Sequence, residues 1–277
     1  MGPVSVRSTV AMRYPRIDPV FFEIGPLELR WYGLMYIIGF ACAYVILRAL
    51  SRRREYDMST REIEDVLAYG IVGLIAGARL GYCLFYNLGY YASHPLKCLA
   101  VWEGGMSFHG GLIGLVVGAW LFSRLRRKSL IMLADMAALA APPGLFFGRI
   151  GNFINAELYG RVTDVPWGMV FPGAGDLPRH PSQLYEAFFE GVVLFAVLFA
   201  LSRKVRTRGV LISVFLAGYG LVRFCLEFFR EPDPQLGFVL GALTMGQVLS
   251  LIMVGAGAVL LASRLKSGPA SHDNAHT

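Results

Sequence analysis

Five ionisable side chains fall within or beside long apolar stretches of the sequence, where a charge costs from a few kcal/mol upward. Such residues are kept at membrane depth only where they pair with another group or act on a ligand. Three of them are arginines, whose planar donor forks match the oxygens of a phosphate or a carboxylate. The pattern therefore indicates a site that binds an anion, and its members are Arg79, His109, Arg149, Arg223 and Glu227.

The stretch 148–162 carries the densest group of polar residues next to an apolar segment. Arg149, Asn152 and Asn155 are spaced three residues apart, which places them on roughly one face if a helix continues through them. Glu157 and Gly160 follow as the chain leaves the apolar region. Two interpretations stay open: an anion site, or a structural Arg–Glu pair with an amide network.

A second set of polar residues has the four-residue spacing of one helix face: Tyr219, Arg223 and Glu227. Arg223 and Glu227 could simply neutralise each other. The functional interpretation depends on several such segments meeting at one depth in the membrane.

Two histidines are candidates for a proton acceptor. His109 lies between glycines in the segment 104–114, which leaves room for a substrate beside the imidazole. The alternative for His109 is an interfacial histidine next to glycines that only pack helices. His180 lies in the proline-containing run 177–186, whose other polar residues are equally typical of turns and caps.

The composition decides the class of protein that must position these residues. Hydrophobic residues make up 55% and charged residues only 16% of 277 residues, whereas about a quarter is charged in a typical soluble domain. A bilayer crossing needs about 20 apolar residues. We predict an all-α polytopic membrane protein with seven spans, forming one domain over 1–266 with a loop region at about 149–183 and a disordered tail at 267–277. The predicted spans are 31–50, 65–87, 106–123, 130–148, 184–202, 209–229 and 238–262.

The net charge of +7 is distributed in a way that argues against a nucleic-acid partner. The basic residues are concentrated in the short loops after the first, third, fifth and seventh spans, and such loops face the cytoplasm by the positive-inside bias. The N-terminus is then predicted outside and the C-terminus inside. The residues concerned are Arg52, Arg53, Arg54, Arg61, Arg124, Arg126, Arg127, Lys128, Arg203, Lys204, Arg206, Arg208, Arg264 and Lys266.

Glycines recur every fourth residue in the second and third predicted spans. This period lets two helix backbones approach closely within a membrane. We therefore predict that each of these spans packs closely against another helix through its glycines, which are Gly73, Gly77, Gly81, Gly110, Gly114 and Gly118.

Long segments of the chain resemble one known family, the bacterial prolipoprotein diacylglyceryl transferases. The resemblance extends from about Tyr14 to Lys266. It is carried by WYGLMY (31–36), GGMSFHGGLIG (104–114), GRIGNFINAELYGR (148–161), RHPSQLYE (179–186) and GYGLVRFCLEFFREPD (218–233).

The resemblance implies a seven-span enzyme of the bacterial inner membrane. Such an enzyme transfers the diacylglyceryl group of phosphatidylglycerol to the thiol of a lipobox cysteine in a preprolipoprotein signal peptide, and needs no metal or cofactor. The family's functional positions correspond to Tyr32, His109, Arg149, Asn152, Glu157, Gly160 and Arg223. Glu186, Tyr219 and Glu227 match further polar positions of the family.

From these residues we predict that Arg149 and Arg223 hold the phosphate and stabilise its departure, with His109 as the first candidate base and His180 as the second. The residues expected to bind or position substrate are Tyr32, Arg79, Asn152, Glu157, Gly160, His180, Tyr219 and Glu227. The competing hypothesis is a membrane transporter or binding protein for an anionic lipid or solute. The absence of an evident internal repeat argues mildly against a transporter.

Overall fold

The computed structural model describes residues 12–25, 27–53, 56–231, 238–241 and 243–266. These residues are mostly helical. The predicted disordered tail, 267–277, lies outside them, and the prediction of a single domain over 1–266 stays a prediction. The helices are α1 (Trp31–Ser51), α2 (Thr60–Phe85), α3 (Leu88–Ser93), α4 (Phe108–Leu125), α5 (Leu130–Ile154), α6 (Ser182–Glu186), α7 (Leu194–Ser202), α8 (Val210–Leu226) and α9 (Met245–Lys266).

A π-helical segment, Ala187–Val193, joins α6 to α7, so that Ser182–Ser202 forms one long apolar helix. With it, six helices in the described part of the chain are long and apolar enough to cross a membrane, whereas α8 is an apolar helix of 17 residues. The predicted class, a mostly helical polytopic membrane protein, is therefore confirmed. The number of seven spans and the orientation stay predictions.

Short strands accompany the helices and were not predicted. β1 (Met12–Arg13) pairs in parallel with β4 (Met169–Val170). Two antiparallel hairpins are formed by β2 (Val20–Ile24) with β3 (Leu27–Arg30) and by β5 (Phe238–Leu240) with β6 (Leu243–Thr244).

The chain divides into two compact units, Met1–Ala43 with Ala137–Thr277, and Tyr44–Met136. In the second unit, α2 and α4 pack through their glycines. A Cβ atom at Gly77 would lie 2.7 Å from the Cα of Gly114, and one at Gly81 would lie 2.9 Å from the Cα of Gly110. These separations are too short for any side chain, so the predicted glycine packing of the second and third spans is confirmed.

In the first unit, α8 and α9 make a similar contact. A Cβ atom at Gly220 would lie 2.7 Å from the carbonyl oxygen of Ser250, and one at Gly257 would lie 2.6 Å from the amide of Ala217. This close approach holds α8, which carries Arg223, against α9.

The last span begins at Met245 rather than at 238, so the predicted start was wrong. Residues 238–241 and 243–244 belong to the β5–β6 hairpin, and Gly241 has φ +59°. Thr244 and Gln247 then form a capping box. The backbone amide of Gln247 donates to Thr244 Oγ1 (3.3 Å), and the backbone amide of Thr244 donates to Gln247 Oε1 (3.1 Å). These bonds satisfy donors that a helix start leaves free.

The fourth span continues to Ile154, six residues beyond its predicted end. The Tyr14 hydroxyl lies 2.7 Å from the carbonyl oxygen of Phe153 and 2.9 Å from that of Ile154. It thereby donates to carbonyls that the end of a helix leaves without partners. Because the helix continues, Arg149 and Asn152 lie on its last turns instead of in a loop.

Candidate active site

Arg149 and Arg223, which lie on different helices, meet at the carboxylate of Glu186. Arg149 Nε lies 3.0 Å from Glu186 Oε2, and Arg223 Nη1 lies 3.3 Å from Glu186 Oε1. Glu186 is 1% exposed and ends α6. The two arginines predicted to act together therefore lie in one cluster.

Each arginine has a second carboxylate of its own. Arg149 Nη2 lies 3.5 Å from Glu190 Oε2, and Arg223 Nη2 lies 2.6 Å from Glu227 Oε2. The result is a linear arrangement, Glu190–Arg149–Glu186–Arg223–Glu227, which we call the arginine–glutamate chain. The mutual neutralisation of Arg223 and Glu227 exists, but it is one link of a longer chain.

The Glu227 end of this chain is held by the start of α9. Thr244 Oγ1 donates to Glu227 Oε1 at 2.9 Å. A Cβ atom at Gly246 would lie 2.8 Å from the same oxygen, so glycine is what leaves space for the carboxylate. The N-terminus of a helix favours a negative charge. The capping box of α9 therefore also positions a member of the candidate site.

The arginines of the chain are less buried than its carboxylates. The side chains of Arg149 and Arg223 are 16% and 12% exposed, whereas those of Glu186 and Glu190 are 1% and 0% exposed. Within the described ranges, Arg149 Nη1 and Arg223 Nε donate to no protein acceptor. Each guanidinium thus keeps a donor that the described protein groups do not use.

Tyr219 lies one helical turn before Arg223 on α8. It is close enough to Glu190, Arg149 and Arg223 to interact with them electrostatically. Its ring stacks on Phe215, with centroids 5.8 Å apart. Tyr219 therefore borders the arginine–glutamate chain, as the four-residue spacing predicts.

Asn152 and Glu157 form a second polar group at the end of α5. The Asn152 Nδ2 donates to Glu157 Oε1 at 2.8 Å, and Asn155 Nδ2 donates to the same oxygen at 3.4 Å. Glu157 is thus held by two side-chain amides, which form the amide network of the structural interpretation. The Tyr32 ring packs beside α5 one residue before Asn152: a Cβ atom at Gly151 would lie only 2.9 Å from the Tyr32 ring.

Gly160 and His180 belong to a backbone crossing outside the helices. The Gly160 amide donates to the His180 carbonyl at 2.8 Å. A Cβ atom at Gly160 would lie 2.8 Å from the His180 Cβ and would also collide with the Phe229 carbonyl. Gly160 therefore contacts protein backbone on both sides here. Its predicted contact with substrate stays a prediction.

His180 is part-buried among aromatic rings. Its Nδ1 lies 3.2 Å from the Tyr185 hydroxyl, and its ring meets that of Phe229 edge-on at 5.2 Å between centroids. Burial lowers the pKa of His180 from its ordinary value, and the nearby charge of Asp164 opposes this effect. His180 can therefore be a neutral proton acceptor at neutral pH.

Arg79 lies in the second compact unit, where backbone carbonyls surround its guanidinium. It is 3% exposed and donates to the carbonyls of Lys97 (2.6 Å), Cys98 (2.9 Å) and Gly105 (3.2 Å), and also to that of Gly104. Its guanidinium lies 5.3 Å from the ring centroid of Tyr91. Arg79 holds the connection between α2 and α4 in place, and its predicted contact with substrate stays a prediction.

His109 lies in the first turn of α4 and is exposed. Ser107 caps this helix by accepting from the Gly110 amide at 3.2 Å. The cap fixes the start of α4, and with it the position of His109. Among the described residues its imidazole makes a ring contact with Phe108 and has no hydrogen-bond partner. Its predicted role as a base stays a prediction.

Glu190 was missed by sequence reasoning, and Glu186 was noted without an assigned role. Both are buried side chains on an apolar helix, as is Gln183, which is 0% exposed. Their spacing (183, 186, 190) is that of one helix face, and this polar stripe within an apolar segment is the signal that identifies them.

Comparison with known proteins shows the family to which this sequence belongs. The model of the family described as prolipoprotein diacylglyceryl transferase matches residues 19–263. A protein of Geobacter sulfurreducens named phosphatidylglycerol–prolipoprotein diacylglyceryl transferase is 56% identical over 260 residues, which cover 93% of this chain and 100% of that protein. Proteins of the same name are similar in Coxiella burnetii (54% identical over 249 residues, 90% and 95% covered) and in Oleidesulfovibrio alaskensis (50% over 257 residues, 92% and 96% covered). The chain therefore belongs to the prolipoprotein diacylglyceryl transferase family.

Proposed function

We propose that this chain transfers the diacylglyceryl group of phosphatidylglycerol to the thiol of the lipobox cysteine in a preprolipoprotein signal peptide. The observation that carries the proposal is the meeting of Arg149 and Arg223 at Glu186, because it supplies two cationic forks within one part-accessible cluster. Both substrates are membrane-bound, which agrees with a polytopic protein.

In this reaction, the cysteine sulfur attacks the glycerol carbon that bears the phosphate ester. A carbon–sulfur bond forms, the carbon–oxygen bond breaks, and its electron pair leaves on the oxygen of glycerol phosphate. The thiol proton passes to a base. Because the leaving phosphate gains negative charge, donors aimed at it stabilise the transition state more than the ground state.

Typical free energies indicate that stabilising the departing phosphate contributes more to catalysis than activating the thiol. One well-aimed donor contributes about 3–4 kcal/mol to such a transition state. Lowering the thiol pKa from about 8.5 to about 7 contributes only roughly 2 kcal/mol. Arg149 and Arg223 are therefore assigned to the departing phosphate.

The remaining candidate residues are assigned to positioning. Tyr32, Asn152 and Glu157 form one group near the end of α5, and Tyr219 and Glu227 border the arginines on α8. Gly160 shapes the loop that carries His180, and Arg79 shapes the connection before α4. His109 is the first candidate base because its imidazole is exposed, and His180 is the second.

We further propose that α8 is the seventh membrane span, with the N-terminus outside and the C-terminus inside the bacterial inner membrane. The apolar character of α8 and the basic loops after α1, α4, α7 and α9 support this arrangement. The candidate site then faces the outer leaflet.

Substitution of either arginine by alanine tests the function. The variants Arg149→Ala and Arg223→Ala, at equal amounts of folded protein, are expected to lower transfer at least about 100-fold, the usual effect of removing one such donor. Transfer is measured with phosphatidylglycerol and a lipobox peptide as the mass gain of the peptide. Arg126→Ala is the matched control, because it also removes an arginine from an ion pair, here with Asp65, outside the arginine–glutamate chain.

Near-normal turnover in either variant would remove the assigned role. The transporter or binding-protein hypothesis predicts that phosphatidylglycerol binds and that no peptide thioether forms. Detection of the thioether on the cysteine, with release of glycerol phosphate, separates the two hypotheses.

A further inference from the structure

Glu190 is a fully buried carboxyl group to which the proposed reaction assigns no part. It is 0% exposed and lies on the π-helical segment inside the helix Ser182–Ser202. Its Oε1 is buried and has no hydrogen-bond donor among the described residues. A carboxyl group at this depth is costly and is kept where it pairs or acts. Segments of π-helix occur frequently at functional sites.

The contact of Glu190 with Arg149 complements that of Glu186. Glu186 faces Arg149 Nε at 3.0 Å, and Glu190 faces Arg149 Nη2 at 3.5 Å. These two nitrogens form one edge of the planar guanidinium. With that edge held at two points, the plane can no longer rotate freely, and Nη1 is directed to the opposite side. Nη1 donates to no acceptor in the part of the chain that the structure describes.

Close packing next to Glu190 fixes the position of its backbone relative to α5. A Cβ atom at the next residue, Gly191, would lie 2.6 Å from the Cβ of Phe146. The π-helical segment therefore touches α5 directly, one turn from Arg149 on the same helix. Glycine at 191 permits this approach, so the carboxyl group and the arginine that it contacts are held by one helix–helix contact.

We propose that Glu190 is a positioning residue for the phosphate-binding arginine. It holds Nη2 of Arg149 so that Nη1 meets the phosphate as the carbon–oxygen bond breaks. The inference rests on the proposed function. Precise aim matters because a misplacement of about 1 Å can cost about 100-fold in rate. A poorly oriented arginine still attracts the anionic lipid, but it stabilises the departing phosphate less.

A purely structural ion pair makes a different prediction. If Glu190 only keeps Arg149 buried, its loss lowers the thermal stability and the amount of folded protein, and the remaining folded enzyme turns over normally. A positioning role lowers kcat in folded protein and changes KM for phosphatidylglycerol little.

The experiment compares Glu190→Ala and Glu190→Gln with the parent, in detergent with phosphatidylglycerol and a lipobox peptide. We expect Glu190→Ala to lower kcat about 100-fold with KM within about threefold. Glu190→Gln is expected to fall between Ala and the parent, because an amide oxygen still accepts from Arg149. Glu64→Ala serves as the control, since Glu64 is an exposed glutamate whose described partner is Tyr44.

A double-substitution cycle tests whether Glu190 acts through Arg149. In the Arg149→Lys background, Glu190→Ala is expected to reduce kcat less than about threefold, since the planar fork that it positions is gone. The same 100-fold loss in both backgrounds overturns the inference, and so does a normal kcat in Glu190→Ala. A parent that forms no thioether overturns the proposed function itself, and the inference falls with it. A working parent with normal Glu190 variants overturns the inference alone.

Discussion

At the scale of single residues, the arginine–glutamate chain places three carboxylates around two guanidinium groups. Removing ions from water costs several kcal/mol for each ion, and ion pairing in the interior often only offsets that cost. Stability alone therefore gives little reason to keep five charged groups on apolar helices. The proposed binding of phosphate by the two arginines would explain why this arrangement is kept.

The two histidines can be distinguished by the pH dependence of transfer. If His109 is the base, His109→Gln removes the acid limb of the rate profile and lowers the rate about 100-fold or more. His180→Gln then keeps the limb. The measurement is the transfer rate of both variants and the parent between about pH 5 and 9, around the ordinary histidine pKa of about 6.5.

A role of His180 as the base predicts a different pH dependence. Burial lowers the pKa of His180, so its neutral form persists to lower pH than that of an ordinary histidine. If His180 is the base, the acid limb of the parent lies below about pH 6.5 and disappears in His180→Gln. An unchanged profile and rate in His109→Gln would remove His109 from the role.

At the scale of helices, close glycine contacts determine where α2 and α4 lie. Gly114→Ala is expected to destabilise the protein by about 1–3 kcal/mol, because the new methyl group would lie 2.9 Å from the Cα of Gly77 and neither backbone can move away independently. The measurement is thermal unfolding in detergent. Gly255→Ala on α9 is the matched control, since its Cβ would meet nothing within 4 Å. Equal unfolding temperatures for the two variants would contradict the glycine contact.

Helix boundaries also decide which residues reach the site. The start of α9 depends on the Thr244–Gln247 capping box, and the same Thr244 hydroxyl binds Glu227. Hydropathy does not locate this start, because residues 238–244 are as apolar as a membrane span. The cap becomes recognisable only when the hairpin before it is known.

At the scale of the whole molecule, the distribution of charge predicts the orientation in the membrane. In a variant whose native cysteines (Cys42, Cys83, Cys98 and Cys225) are replaced, single cysteines at Asp176 and Lys204 report the two sides. A membrane-impermeant maleimide added to intact spheroplasts is expected to label the cysteine at 176. The cysteine at 204 should react only after permeabilisation, because its basic loop faces the cytoplasm. The reverse pattern would contradict the orientation and place the candidate site on the inner side.

The sequence by itself determined the class of the protein, the approximate positions of its apolar helices, the close packing of α2 and α4 through glycines and the family. Each of these follows from local composition, from a helical period or from long ordered segments. The spacing of Tyr219, Arg223 and Glu227 likewise follows from the geometry of one helix.

Only the tertiary structure decided which charged groups meet. Arg149 lies 37 residues before Glu186, and Arg223 lies 37 residues after it. No local pattern relates residues so far apart, and an arginine on one helix has several possible carboxylates on others. The packing of α5, the helix Ser182–Ser202, α8 and the start of α9 makes that choice, because burial requires each carboxylate to find a partner within its reach.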